Sequence, residues 1–281
     1  MILLILHIEA ISNVVKEAIN QADITMDDID IIACTYGPGL VGALLVGVSY
    51  AKALSYALNK PLVGTNHIHG HIAANYITHP ELEPPLLCLV ISGGHTHLVH
   101  IKSYSEFEVL GRTRDDAAGE AYDKVARLIG LPYPGGPRLD KLAQEGNPHA
   151  FKLPEGKVDG YNFSFSGLKT AVLRLVKSFD GKELPVNDIC ASFQERVSST
   201  LLNKVKKALE AGGYKQVVIA GGVAANSEIR KKIFDLEKEG YKVFAPPMKY
   251  CTDNAAMVAS CAYFNTNTFD DVNVEVFSRV K

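Results

Sequence analysis

The chain reads as an α/β protein in two lobes. Apolar strand-like runs alternate with helical patterns along its length, glycine pairs close several of those runs, and a Pro84-Pro85 break interrupts the order. With 281 residues it can bury a large core and is near the size at which one core splits into two. Lobes are therefore expected over residues 1–85 and 86–281, with the last helix returning toward the first lobe.

In order, Asp30-Ile31-Ile32-Ala33-Cys34-Thr35 is rich in β-branched residues and leads through glycines into a helix from Ala43 to Leu58. Pro61 to Thr65 is a short apolar strand, and a helix beginning near Asn66 follows it. Leu86 to Ile91, Leu98 to Ile101 and Phe107 to Leu110 are close together with short turns, which suits a meander. Helices are predicted at Ala117–Leu128, Gly167–Lys177 and Ile189–Leu209. Gln216 to Ala220 is a buried strand running into Gly221-Gly222 and a helix. Lys242 to Ala245 forms a last strand, and Asp253 to Ala262 a last helix.

Composition is ordinary for a globular protein, 47% hydrophobic and 21% charged, with a net charge of -2. Such a balance gives no general attraction to nucleic acid or anionic membrane, so any RNA contact must come from a local basic patch or a partner. Five scattered cysteines without a C-x-x-C pair argue for a reducing compartment and against a disulfide framework. Met1 to Leu6 is apolar but short for a secretion-signal core, and Ala43–Ala57 is interrupted by Lys52. A cytoplasmic location is expected.

His67 and His71 stand four apart and so share one face of a helix, where two imidazoles can grip a metal ion if a third ligand arrives from elsewhere. A bland helix start with His69 facing solvent explains the same residues equally well. Thr252-Asp253-Asn254 opens the last helix, and either Thr252 or Asp253 suits an N-cap. Asp253 is also the carboxylate that would complete a His, His, Asp site.

Ser92-Gly93-Gly94-His95-Thr96 lies between two strands, and its backbone N–H groups suit a phosphate or carboxylate. A plain type I′ or II′ hairpin is the alternative. Asp115 or Asp116 suits the N-cap of the following helix. Asp123 is not needed for capping and could face Tyr133-Pro134-Gly135-Gly136-Pro137, a second glycine loop, to bind ribose hydroxyls. Gly221-Gly222 makes a third strand-to-helix turn, with Asn226 a candidate base or ribose contact. Gly37-Pro38-Gly39-Leu40-Val41-Gly42 matches the dinucleotide fingerprint in form only. Val63-Gly64-Thr65-Asn66 lacks the expected acidic residue, so a tight turn that lets a helix approach the sheet is the better account.

Three glycine turns at strand ends in two α/β lobes describe a nucleotide cleft of the actin-like, sugar-kinase and Hsp70 type, the ribonuclease H-like ATPase fold. Asn66-His67-x-x-x-His71, Val90-Ile91-Ser92-Gly93-Gly94-His95-Thr96, the Asp115–Lys124 block, Tyr133–Pro137, Phe163–Thr170, Gly221–Asn226 and Cys251–Asn254 together resemble the TsaD family. Its members are tRNA N6-adenosine threonylcarbamoyltransferases, formerly described as sialoglycoprotein endopeptidases. The resemblance starts near His7. The family's opening strand, with its Gly-Ile-Glu-Thr-Ser-Cys-Asp type loop, has no counterpart, so the first lobe is expected to be truncated at its N-terminus.

By that resemblance His67, His71 and Asp253 are metal ligands. Val90, Ile91, Ser92, Gly93, Gly94, Asp123, Gly136, Asp140 and Asn226 are substrate contacts. The implied reaction moves the threonylcarbamoyl group of threonylcarbamoyl-AMP onto the exocyclic amine of the adenosine next to the anticodon, in tRNAs reading codons that begin with adenine. The implied cofactor is one divalent ion, Fe(II) first, with zinc or magnesium as alternatives. Implied partners are tRNA, a paralogous actin-like subunit and a small ATPase, with no membrane. Metal catalysis of this kind is Lewis-acid and template work, and no side-chain nucleophile is nominated.

Three rivals stand beside this. A zincin protease needs His-Glu-x-x-His, and Ile68 occupies the glutamate's place. A small-molecule kinase would share the fold. A non-catalytic paralogue would bind nucleotide or partner proteins without turnover. For RNA, Lys169, Arg174 and Lys177 form one candidate patch and Lys204, Lys206 and Lys207 a second; for the second, a solvated helix face is at least as good an account.

Overall fold

Contacts divide the chain into one unit of Met1–Ile77 with Asn254–Lys281 and another of Thr78–Asp253. The structure, a computed structural model, describes residues 2–265 and 274–278. Division falls at Ile77 and not at the Pro84-Pro85 pair because the intervening segment is bonded into the second unit. His79 Nε2 lies 3.0 Å from the Ala245 carbonyl, and Gln216 Nε2 donates to the carbonyls of Glu83 and Pro85 at 2.6 and 3.3 Å.

The first unit opens with α1 (Ile2–Ala22) and continues through β1 (Ile32–Gly37), α2 (Val41–Leu58), β2 (Leu62–Asn66) and α3 (His67–Ala73). β1 and β2 pair in parallel with Ile32 beside Leu62, as α2 crosses between them. Asn59, left-handed at φ 50, ends α2, and Pro61 stops its continuation. Ile32, Cys34, Val48, Ala51 and Leu62 form this unit's core.

By length and composition α2 is apolar enough to cross a membrane. The core helix of a globular protein passes the same test. In this fold Val48 and Ala51 pack into the core, and Lys52 Nζ donates to the Val274 carbonyl at 2.8 Å. In the glycine turn after β1 the close approach is made by the segment around Phe277 and not by a helix. A Cβ on Gly37 would lie 2.6 Å from the Phe277 carbonyl oxygen.

The second unit is built on β3 (Leu86–Ile91), buried at every position as an all-apolar strand covered on both faces must be. β4 (Thr96–Ile101) and β5 (Phe107–Arg112) follow as an antiparallel meander. Then come α4 (Ala118–Leu128), α5 (Gly135–Ala143), α6 (Ser166–Ser178) and α7 (Val186–Gly212). β6 (Gln216–Ala220), a 3-10 turn over Gly222–Ala225, α8 (Ser227–Phe234), β7 (Lys242–Phe244) and α9 (Met248–Cys251) complete it. The strand order is β5-β4-β3-β6-β7, with β3, β6 and β7 parallel.

Three local expectations are corrected. Residues 133–137 are not a loop, because α5 starts at Gly135. Pro137 sits in its first turn, where its missing N–H costs nothing. Ala117, not Asp115 or Asp116, is the N-cap of α4, and the Thr96 hydroxyl accepts the Ala118 N–H at 2.9 Å. Neither Gly93 nor Gly94 has positive φ, so their turn is not type I′ or II′.

The chain returns to the first unit as α10 (Ala255–Tyr263). Asn254, and neither Thr252 nor Asp253, caps it, accepting the Met257 N–H at 2.8 Å. α10 lies along α3, where Met257 packs beside Gly70 and the Ser260 hydroxyl donates to the Ala73 carbonyl at 2.8 Å.

Candidate active site

Because β3 and β6 run in parallel, with Val90 beside Ala220, both deliver their following turns to the same end of the sheet. The two turns approach closely for steric reasons that only glycine meets. Gly221 holds φ +92, and a Cβ there would lie 2.4 Å from the Ile91 oxygen. Gly119, at the start of α4, donates its N–H to the Ser92 carbonyl at 3.2 Å, and a Cβ there would be 2.7 Å from that oxygen.

These turns, with the starts of α4 and α5, enclose a cleft of about 500 Å³ within the second unit. That is within the range of small-ligand sites, roughly 300–1,000 Å³. Gly93, Asp123, Gly136, Asp140 and Asn226 line it, joined by Tyr122, Tyr133 and Thr252. Val90 and Ile91 end β3 wholly buried, Gly94 is exposed, and none of the three lines the cleft. Ser92 is outside the lining too. Its hydroxyl accepts the His95 N–H at 3.1 Å and so shapes the turn.

Asp123 reaches from α4 to the start of α5, where Oδ1 accepts the N–H groups of Gly135 and Gly136 at 2.8 and 3.3 Å. Asp140 is held from α8: its Oδ1 accepts the Ser227 hydroxyl at 2.6 Å and its Oδ2 the Ser227 N–H at 3.1 Å. Asn226 is the N-cap of α8 and not part of the helix proper. Its Oδ1 accepts the Ile229 N–H at 3.0 Å.

The sequence reading passed over the residue that links these groups. Gln194 of α7 donates from Nε2 to Asp140 at 3.0 Å and accepts at Oε1 from Asn226 Nδ2 at 2.8 Å and Tyr122 at 3.4 Å. One signal was available: Gln194 follows Ile189-Cys190-Ala191-Ser192-Phe193 on what becomes a buried face. Burial, and after it the carboxylates of Asp140 and Glu228, hold the Tyr122 phenol well above its ordinary value.

In the first unit, Asn66 caps α3, its Oδ1 accepting the Ile68 and His69 N–H groups at 2.8 and 3.4 Å. That cap starts the helix at His67. His67 and His71 then fall on one face, ring centroids 4.7 Å apart, with His71 buried and His67 half-buried. His69 does not face open solvent: it is half-buried, and burial lowers its pKa to about 4. Asp253 is the last residue of the second unit, one peptide bond from the Asn254 cap of α10. Two imidazoles on one face and a carboxylate are a donor set that fits a divalent transition metal.

The fold is of the actin-like ATPase class. Solved structures share the fold. HypF of T. kodakarensis aligns over 85% of this chain and 41% of its own, with 14% identity and a TM-score of 0.64. Component A of Acidaminococcus fermentans (R)-2-hydroxyglutaryl-CoA dehydratase aligns over 92% of this chain and 85% of its own, with 17% identity and a TM-score of 0.52. The family "TsaD: tRNA N6-adenosine threonylcarbamoyltransferase" matches residues 5–260. A Clostridium perfringens (strain SM101 / Type A) protein called tRNA N6-adenosine threonylcarbamoyltransferase is 55% identical over 263 residues, 92% of this chain and 78% of that protein. The protein of that name from Caldicellulosiruptor bescii is 54% identical over 261 residues, covering 92% and 78%. The chain belongs to the TsaD family of tRNA-modifying acyltransferases.

Proposed function

We propose that this chain carries the threonylcarbamoyl group from threonylcarbamoyl-AMP to the exocyclic amine of the adenosine beside the anticodon, in tRNAs reading codons that begin with adenine. One observation carries the reading: the five cleft residues Gly93, Asp123, Gly136, Asp140 and Asn226 come from four separate stretches of sequence and converge on a space of nucleotide size. The adenylate lies there, with the Asp123 and Asp140 carboxylates accepting from ribose hydroxyls and the glycine turns giving the phosphate a close backbone approach. Held this way, the acyl carbonyl is presented to the incoming amine without a covalent enzyme intermediate. The new N–C bond forms as the carbonyl–phosphate C–O bond breaks. AMP leaves with that electron pair, and the amine's proton passes to solvent.

His67, His71 and Asp253 hold one divalent ion, Fe(II) by preference, and zinc or magnesium are the alternatives. Bound there, it would supply Lewis-acid polarisation and orientation of the acyl group. A paralogous actin-like subunit and a small ATPase act with the chain, in the cytoplasm. The five cysteines, none of them in a disulfide, suit that reducing compartment.

The test is transfer by purified chain supplied with threonylcarbamoyl-AMP and unmodified tRNA, with and without the accessory proteins. Modified nucleoside is read by mass spectrometry of the digested tRNA. No product in either condition, or ATP-dependent phosphorylation of a metabolite instead, would overturn it.

A further inference from the structure

In the cleft's polar network each amide has its direction forced by a neighbour that can play only one role. Asn226 Oδ1 accepts the Ile229 N–H, so Asn226 must turn Nδ2 toward Gln194. Gln194 must then offer Oε1 to Asn226 and Nε2 to Asp140, and a carboxylate welcomes that donor. The Tyr122 hydroxyl donates to the same Oε1. Gln194 is 4% exposed and bridges α4, α5, α7 and the cap of α8. No other residue touches Asp140, Asn226 and Tyr122 together among the hydrogen bonds described.

We propose that Gln194 is the positioning residue of this cleft: with its own amide oriented by Asn226, its Nε2 donor fixes how the Asp140 carboxylate is turned to the nucleotide. This rests on the reading that the cleft binds the adenylate. Asn226, set by the Ile229 N–H, presents an N–H donor to an acceptor atom of the ligand, and through Gln194 the Asp140 carboxylate is held facing the ribose. Without the Gln194 donor the Asp140 carboxylate keeps only its Ser227 contacts and is freer to turn.

Gln194→Glu separates positioning from mere filling of space. A protonated glutamic acid reproduces both roles of the amide, donating to Asp140 and accepting from Asn226. An ionised one repels Asp140 and lacks the donor. Asp140 on α5 and Tyr122 on α4 are hydrogen-bonded to this position, and Glu195 of α7 with Glu228 and Lys231 of α8 line a cavity beside it. The Asp140 carboxylate, 3.0 Å from the Gln194 amide, favours the protonated form of a glutamate here, so the donor is present at acidic pH.

AMP affinity would be measured by calorimetry at pH 5.5 and pH 8 for wild type and Q194E, taking the ratio of the two proteins at each pH. We expect Q194E to bind about tenfold more weakly than wild type at pH 8 and within about threefold at pH 5.5. Equal affinity at both pH values, or an equal loss at both, overturns the proposal. If wild type itself fails to bind AMP, the adenylate reading fails. The positioning claim is still decided by the crystal structure of Gln194→Met: a turned Asp140 side chain supports it, and an unmoved one overturns it.

Discussion

Asp123 and Gly135 are joined across the opening of α5, with the Asp123 Oδ1 accepting the Gly135 N–H at 2.8 Å. Pro134, the residue in the cap position, provides no side-chain cap, so a carboxylate from the neighbouring helix takes that role. Asp123→Ala should lower unfolding stability by about 1–2 kcal/mol and weaken AMP binding, while Asp123→Asn should keep most of the stability. Urea denaturation and calorimetry check both. Unchanged values for the alanine variant would show that α5 starts without this anchor.

Gly119 touches the cleft turn so closely that a methyl group has no room. Gly119→Ala places a Cβ 2.7 Å from the Ser92 oxygen and 2.8 Å from Gly93 Cα. The turn must move, and a loss of about 1–3 kcal/mol in stability with reduced nucleotide affinity is expected. Thermal unfolding in the presence and absence of AMP measures both effects.

Asp115 is partly desolvated, which raises its pKa, but four hydrogen bonds outweigh that and lower it: the Ser164 hydroxyl, the Phe165 N–H, and the Ser166 hydroxyl and N–H. A depressed carboxylate contributes stability above its unfolded pKa, 3.8 for this group, and loses it as pH falls through the lower folded value. The stability gap between wild type and Asp115→Asn should therefore be widest near neutrality and close on acidification below that value. A gap independent of pH would assign the effect to shape alone.

His67→Ala and His71→Ala should each remove stoichiometric metal, read by elemental analysis of purified protein, with circular dichroism to confirm folding. Metal content unchanged in both variants would remove α3 from the candidate metal site. Asp253→Ala should lower it as well.

For tRNA, the structure separates the two basic patches. Lys204 donates to the carbonyls of Val158 and Gly160, Lys206 pairs with Glu239, and Lys207 lies over the Tyr161 ring. Arg174 and Lys177 on α6 are exposed, and Lys169 is half-buried. Replacing the α6 trio with alanine should reduce the slope of log affinity against log salt by about 2–3, roughly one for each phosphate that is no longer neutralised. An unchanged slope would place the phosphate-binding residues elsewhere.

Much of the second unit was legible because its central strands are unambiguous. β3 and β6 are continuous apolar runs, and no other element tolerates them between glycine and proline breaks. α5 was not legible, since Gly135-Gly136-Pro137 reads as a loop by propensity. Its helix is held by a carboxylate from α4, a tertiary effect with no local signature. Capping misled for a similar reason: Asp115 lies beside α4 in sequence yet serves the opening of α6. Gln194 escaped notice because a glutamine inside a helix looks like surface until the partners around it are known.

The parallel pairing of β3 with β6 also sets an order of events during synthesis. Leu87 pairs with Val217, so β3 emerges from the ribosome long before its neighbour exists. Until then only the local meander with β4 and β5 can form, and one edge of the most apolar strand waits without a partner. The nucleotide cleft, whose walls follow these two strands, is therefore among the last parts of the nascent chain to exist.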